Sequence, residues 1–311
     1  MRTPWVMRAR AHAKINLSLR VTGRRQDGYH ELKTVFQALA LHDTLEVKRR
    51  PGPLVLSCDD PAVPTDERNL VWQAATLVWQ AAGRRGVPSG VEMRLTKRVP
   101  VQGGLGGGST DAAAALPALS ALWGAGLDRD ALVRLAGRLG ADVPYFLVGG
   151  RALGLGRGDE IYALQDRPRR WVVLVLPPFG VSTTEAFGWI DEARAASGAR
   201  GSGGPAPEAP ASASDGITDL EPPVVARHPE IGRLVASLRR AGAELAAMSG
   251  SGSTVFGLFS TRAGAQAAAD RLGRGDCRVL VTRTLSHAEY RRRSLPVLAT
   301  PAKGRLASGD A

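Results

Sequence analysis

Residues 103–108 read GGLGGG, five glycines in six positions interrupted only by Leu105, and Ser109, Thr110, Asp111 and a run of alanines follow. Glycine lets the main chain take positive φ and removes the Cβ atoms that would hold a bulky anion away, so successive N–H groups can converge on phosphate oxygens. A helix beginning directly after such a loop adds its own unpaired amides and about half a positive charge. The stretch GLGGGSTDAAAALPALSALW has both features. Ser109 is the expected N-cap, Thr110 and Asp111 fall in the first turn, and the helix is apolar on nearly every side, as a buried helix must be, with a kink expected at Pro117. Phosphate binding is the chemistry this pattern points to. Two common glycine motifs fail letter by letter: a P-loop needs Lys where Gly108 stands, and a dinucleotide fingerprint counted from Gly104 needs Gly where Ser109 stands. Asp111 reads as a first-turn acid that complements the helix dipole.

Other polar residues are ambiguous alone. Lys14 and Asn16 lie on one face of an alternating segment, where a solvated strand face would explain them equally. Asp142 precedes Val143 and Pro144 and is placed to cap a short helix through VPYFL. The SGSGS of 249–253 reads as a tight turn before TVFGLF. Cys58 and Cys277 are the only cysteines, far apart and outside metal-type spacing, which fits a reducing compartment and builds no zinc site.

The elements that must hold these residues are legible as periodicities. Ala11, Ala13, Ile15, Leu17, Leu19 and Val21 alternate with His12, Lys14, Asn16, Ser18 and Arg20, the pattern of a half-buried strand. Arg25 to Gly28 make a turn, and YHELKTVFQALAL and TLEVKR continue as strands. NLVWQAATLVWQAAGRRG is an amphipathic helix with Asn69 as its N-cap, VEMRLTKRVP a strand leading into the glycine loop, and DRDALVRLAGRLG a helix stopped at Gly140. Beyond residue 165 come a buried strand (WVVLVLPP), a helix around Thr184 to Ala195, a helix (EIGRLVASLRRAG), strands at AELAAMS and STVFGLF, a helix (TRAGAQAAADRLG) and a last strand (CRVLVTRT). That order is a split β-α-β unit, a ferredoxin-like domain. The expected organisation is an α+β chain with an N-terminal domain over 1–165, a C-terminal domain over 166–290 carrying a mobile insertion at 197–216, and a disordered basic tail from 291 to 311. The insertion, SGARGSGGPAPEAPASASDG, has no Val, Ile, Leu, Met or aromatic residue with which to offset the entropy of ordering it.

With 311 residues, 44% hydrophobic and 23% charged, the chain has the composition of a globular enzyme. It holds no run of 18 apolar residues and no apolar stretch near its start, so no membrane partner is expected and a cytoplasmic location is. The net charge of +12 raises nucleic acid as a partner, but part of the excess sits in residues 291–311 and aromatic residues are only 5% of the chain. A positive field suits a small polyphosphorylated substrate as well, and no nucleic-acid partner is expected.

Three stretches, HAKINLSLRVTGRRQDGYHEL, PVQGGLGGGSTDAAAAL and MSGSGSTVFGLF, in that order, resemble the GHMP kinases, the superfamily that includes galactokinase, homoserine kinase and mevalonate kinase. RQDGYHEL and LGADVPYF are similar more narrowly to those members that phosphorylate a cytidine diphosphate-linked polyol on the non-mevalonate route to isoprenoid precursors. The resemblance implies a two-domain GHMP kinase fold, its N-terminal domain of a kind also found in a ribosomal protein and its C-terminal domain ferredoxin-like. It implies ATP as phosphate donor, Mg²⁺ with it, and a small-molecule cytidine diphosphate-linked polyol as acceptor, phosphorylated at its 2-hydroxyl. Lys14 and Asp142 become the catalytic pair, with Asp142 the candidate general base, and Asn16 a substrate contact. Tyr29, His30 and Phe187 are implied at the cytosine end. Asn69 and Lys97 match adenine-pocket positions, although Asn69 serves equally as a helix cap. Pro100, Val101, Gln102, Gly103, Gly104, Leu105, Gly106, Gly107, Gly108, Ser109 and Thr110 are implied around the phosphates, Ser109 being the candidate metal ligand with the rest of that set open. SGSGS is implied to abut this loop and shape the substrate cleft. The insertion and the basic tail depart from the family pattern. Two rivals stand beside this reading, another GHMP-type small-molecule kinase and a nucleic-acid-binding module, and the oligomeric state is left open.

Overall fold

The structure, a computed structural model, describes residues 6–101, 103–196, 216–294 and 296–298. Two long strands, β1 (Val6–Arg24) and β2 (His30–Pro53), form an antiparallel hairpin whose turn uses Gly28 at φ +86°. β3 (Val55–Cys58), helix α1 (Leu70–Ala81), β4 (Ser89–Thr96), α2 (Gly107–Trp123), α3 (Arg129–Leu139), α4 (Tyr145–Val148), β5 (Arg151–Leu155) and β6 (Glu160–Ala163) follow. The expected helix start at Asn69 holds, its side chain accepting from Val71 N, and Asp128 caps α3 in the same way by accepting from Ala131 N. The chain then crosses to a second sheet with β7 (Trp171–Leu176), α5 (Thr183–Ala196), α6 (Glu221–Arg227), α7 (Pro229–Arg240), β8 (Leu245–Met248), β9 (Val255–Phe259), α8 (Arg262–Leu272) and β10 (Arg278–Arg283). It returns to the first sheet with α9 (His287–Ser294) and β11 (Val297–Leu298).

The second sheet is antiparallel in the order β10-β7-β9-β8, the ferredoxin-like arrangement expected from the element order. The first runs β11-β1-β2-β4-β3, with β5 on the other part of β2 and β6 outside it. Helices α1 and α2 cover one of its faces, where Ala112, Ala115, Leu116, Ala118 and Leu119 are fully buried. The other face docks on the second sheet, bringing Ala13, Ile15 and Leu17 of β1 against Val172, Leu174 and Phe256.

This double covering corrects the expectation for β1. The alternation is real, but the strand is buried on both faces from Ala11 to Leu19, so His12, Lys14, Asn16 and Ser18 are as inaccessible as their apolar neighbours. Residues beyond the insertion contribute: Gly216 donates to Leu17 O and Leu19 to Ile217 O, laying 216–219 along β1. The rest of the insertion, 197–215, lies outside the described residues, as does Gln102. The tail also differs from expectation. Residues 291–294 finish α9, whose Tyr290 is buried in the first domain's core and donates to Phe146 O at 2.7 Å, and β11 pairs with Met7 and Arg8 of β1. Apolar anchors at Tyr290 order a segment that its arginine-rich composition had marked as unstructured. Residues 299–311 lie outside the described residues.

His12 packs within 5.1 Å of the His42 ring and 5.6 Å of the Tyr290 ring, centroid to centroid. Burial, then the neighbouring His42, pushes its imidazole down to about 3. Below about pH 6.5 an unfolded chain therefore takes up a proton that the folded protein refuses, and stability falls with pH. In urea titrations at pH 7 and pH 5, His12→Leu is expected to lose about 1–2 kcal/mol less stability than wild type over that interval.

Candidate active site

The glycine loop is closed by packing as well as by conformation. Gly104 (φ +69°) and Gly106 (φ +74°) both take the left-handed region. A Cβ at Gly104 would stand 2.4 Å from Ser249 O, and one at Gly106 would stand 2.6 Å from Phe146 Cζ and 3.2 Å from Lys14 Cγ. Helix α2 begins earlier than expected. Its N-cap is Gly106, not Ser109, because the left-handed turn at Gly106 lets Thr110 N reach Gly106 O at 2.8 Å. No side chain caps this end, so the N–H groups of Gly107, Gly108 and Ser109 have no intrahelical acceptor and remain free for an anion. The helix continues through Pro117.

These amides face a cleft of about 210 Å³ lined by Pro64, Asn69, Leu70, Lys97, Pro100, Val101, Asp111 and the glycine loop from Gly103 to Gly108. The side chain of Asn69 is committed to the backbone, its Oδ1 accepting from Val71 N and its Nδ2 donating to Pro64 O at 2.6 Å. The ammonium of Lys97 points inward, 2.5 Å from Asp43 Oδ2 and 2.6 Å from Asp111 Oδ2. Burial alone would lower the Lys97 ammonium, but Asp111 and Asp43 overcome it and hold it above the ordinary range. Burial drives the Asp111 carboxyl upward, against the opposing pull of Lys97. Asp43 also accepts from Arg98 N (2.5 Å) and Val99 N (2.8 Å), fixing the strand exit that feeds the glycine loop. Asp111, read from the sequence only as a first-turn acid complementing the helix dipole, is a partner in a buried ion triad, and the sequence reading missed Asp43. The one signal for it was a carboxylate in the apolar run LALHDTLEV.

On the other side of the loop lies a second buried lysine. Lys14 Nζ donates to Asn16 Oδ1 at 2.7 Å, stands 3.1 Å from Asp142 Oδ2 and lies 5.5 Å from the Phe36 ring centroid. Its backbone N–H donates to Leu105 O, tying it to the glycine loop. Asn16 Nδ2 donates to Thr34 Oγ1, which donates to Ser18 O, so the amide is held from both ends. Register shifts in β1 on either side of Lys14–Asn16 turn these two residues together, as β-bulges do. Asp142 does not cap α4, whose N-cap is Pro144 with no side-chain bond. Its carboxylate is one-third exposed, whereas Lys14 is almost fully buried. Gly250 of the SGSGS turn closes the pair, a Cβ there lying 3.1 Å from Asn16 Oδ1 and 3.6 Å from Lys14 Nζ, while Ser249 Oγ donates to Gly104 O.

At the far end of the β1–β2 hairpin, Tyr29 is 55% exposed, and His30 stacks on Phe187 of α5 with centroids 4.7 Å apart. Asp191 Oδ1 lies 2.9 Å from His30 Nε2. Of the three residues implied for a base, His30 and Phe187 meet, and Tyr29 precedes His30 in the chain with its ring under Arg157. The fold gathers Lys14, Asn16, Asp142 and the glycine loop at one point, and His30 and Phe187 at another. Asn69 and Lys97 line the cleft with side chains already engaged.

Comparison with known proteins gives the following. The family profile described as GHMP kinases N terminal domain matches residues 69–150, and that described as GHMP kinases C terminal matches residues 206–277. The chain is 44% identical over 290 residues to a 4-diphosphocytidyl-2-C-methyl-D-erythritol kinase of Pelotomaculum thermopropionicum, covering 90% of this chain and 99% of the relative. It is 41% identical over 287 residues to the enzyme so named from Moorella thermoacetica, covering 88% and 98%. A crystal structure of a 4-(cytidine 5'-diphospho)-2C-methyl-D-erythritol kinase superposes with a TM-score of 0.73 at 35% identity, covering 89% of this chain and 98% of that one. A homoserine kinase from Cytophaga hutchinsonii, at 20% identity and a TM-score of 0.65, shares the fold.

The Lys97 triad yields a stability prediction. Lys97→Met leaves two buried carboxylates facing each other and is expected to cost about 3–5 kcal/mol in chemical denaturation. Adding Asp43→Asn to that variant should return part of the loss, because the two positions couple directly.

Proposed function

This chain belongs to the GHMP kinases, and from that premise we propose that it transfers the γ-phosphoryl group of ATP to the 2-hydroxyl of 4-diphosphocytidyl-2-C-methyl-D-erythritol, giving the 2-phosphate and ADP. The step lies on the non-mevalonate route to isoprenoid precursors. The observation that carries the assignment of roles is the meeting of the Lys14 ammonium and the Asp142 carboxylate, 3.1 Å apart, against the glycine loop.

Phosphoryl transfer asks for positioning and charge stabilisation more than for covalent chemistry. Free amides of Gly107, Gly108 and Ser109 take the phosphate oxygens, and the cleft from Asn69 to Asp111 takes the rest of the nucleotide. The acceptor hydroxyl gives its proton to Asp142, the more open member of the pair. As its oxygen bonds to the γ-phosphorus, the bond from phosphorus to the β–γ bridging oxygen breaks, and ADP leaves with that oxygen. Lys14, buried and aimed by Asn16, favours the negative charge on the attacking oxygen. The cytidine end lies over Tyr29 with the His30–Phe187 pair beside it, where base–aromatic stacking is worth about 1–3 kcal/mol.

Magnesium belongs with ATP in this reading. Among the described residues no group of three or more His, Cys, Asp or Glu is placed to hold a metal. That fits an ion held mainly by the triphosphate and water, with one or two protein oxygens. Asp111 Oδ1 is buried without a hydrogen-bond partner, and Asp111 lines the cleft, so it and the Ser109 hydroxyl are the oxygens that would hold the ion. When bound it would neutralise charge across the β- and γ-phosphates.

ADP release from purified protein should depend on the cytidine-linked polyol and should not be supported by homoserine, mevalonate or galactose; turnover of one of those instead would reassign the acceptor. Asp142→Asn should lower kcat about 10²- to 10⁴-fold with the KM for ATP little changed, since it removes the proton acceptor and no cap. Wild-type turnover in that variant would take Asp142 out of the reaction.

A further inference from the structure

The acceptor end contains a contact that neither the sequence reading nor the reaction chemistry requires. The tip of the β5–β6 hairpin, residues 156–159, folds against the β1–β2 turn, with Leu32 N donating to Gly156 O at 2.7 Å. From that tip Arg157 reaches over Tyr29, its guanidinium carbon 5.1 Å from the ring centroid. The guanidinium is itself held: Nε and Nη2 both donate to Asp159 Oδ2, at 3.1 and 2.6 Å, and Arg157 N donates to Asp159 Oδ1 at 3.2 Å. Tyr29 has no other side-chain restraint among the described residues; its hydrogen bonds are those of its backbone, N to Asp27 Oδ1 and O from Arg25 N.

An exposed aromatic ring that samples several rotamers loses that freedom when a base stacks on it, and the loss weakens binding. A cation fixed over one face restricts the ring beforehand and leaves the opposite face for the ligand. We propose that Arg157, locked by Asp159, is a positioning residue for the acceptor: it holds Tyr29 as a preformed platform for the cytosine ring and so sets affinity for the cytidine-linked substrate without touching the phosphoryl transfer. The inference rests on the acceptor reading given above. Arginine is suited to this because its planar group can satisfy a carboxylate along one edge and cover a ring with its face, which a lysine ammonium cannot do together.

The test uses the full-length protein and CDP as probe. Calorimetric titration should show CDP affinity about three- to tenfold weaker in Arg157→Leu than in wild type. In steady-state assays the KM for the cytidine-linked substrate should rise by a similar factor, with kcat and the KM for ATP unchanged. Arg157→Lys should recover part of the loss, and Asp159→Asn should show a smaller loss in the same direction. In a Tyr29→Leu background, Arg157→Leu should change CDP affinity no further, because there is no platform left to hold. Undiminished CDP binding in Arg157→Leu, or an equal loss in the Tyr29→Leu background, overturns the proposal while leaving the acceptor reading intact. Wild-type protein that does not bind CDP at all would overturn both.

Discussion

A lysine ammonium almost wholly excluded from water has to be satisfied by its surroundings, and the way Lys14 is satisfied organises the centre of this molecule. One of its directions is taken by Asn16, one by Asp142, and the Phe36 ring lies nearby, while its own backbone is bonded to the glycine loop. Removing a charge from water costs several kcal/mol even after relaxation, so the arrangement persists only while every partner is in place. Those partners come from β1, from the segment between α3 and α4, and from the loop before α2. The turn at 249–253 on the second domain closes the set, because Gly250 lies against both Lys14 and Asn16. The electrostatic requirement of one side chain thus fixes the relative placement of the phosphate clasp, the acid and the domain opposite.

Lys97 shows how differently the same residue type can be used. It is held between two carboxylates of its own domain, with Asp43 also gripping the amides of Arg98 and Val99. Nothing in that triad is open to transfer a proton to an acceptor: it braces β2, the exit of β4 and the first turn of α2 under the nucleotide cleft. Lys14 instead has a partner that is one-third exposed. The two lysines thus differ in the openness of the paired acid and not in their own burial.

How far the site could be read from the residues follows from the range of the interactions involved. The glycine loop before a helix, the helix start at Asn69 and the ferredoxin-like order of elements were legible because glycine runs, caps and periodicities are local. Ser109 was misjudged as the N-cap because the choice between it and Gly106 depends on a left-handed turn at Gly106 that packs against Phe146 and Lys14, 40 and 92 residues away along the chain. The polar face of β1 looked solvated because nothing in an alternating strand says that the glycine loop, Phe36 and Asp142 will close over Lys14 and Asn16 while a second sheet takes the apolar face. Asp43 escaped notice for the same reason, since its partners arrive from 54 to 56 positions away, and the helix at residues 291–294 depends on Tyr290 finding a core that its own sequence does not announce.

The two ends of the proposed reaction are built on different principles. Every residue lining the nucleotide cleft lies between Ala62 and Asp111, within one domain. The acceptor end draws Tyr29 and His30 from one domain and Phe187 and Asp191 from the other, and the 249–253 turn reaches across to Lys14. Backbone amides, as a phosphate clasp, read a group common to many nucleotides, whereas a composite pocket changes shape whenever either domain shifts or its hairpin tips differ. The constraint therefore falls unequally within this fold: the first sheet and the glycine loop hold Lys14 and Asp142 in register, while the hairpin tips and α5 carry fewer of those contacts.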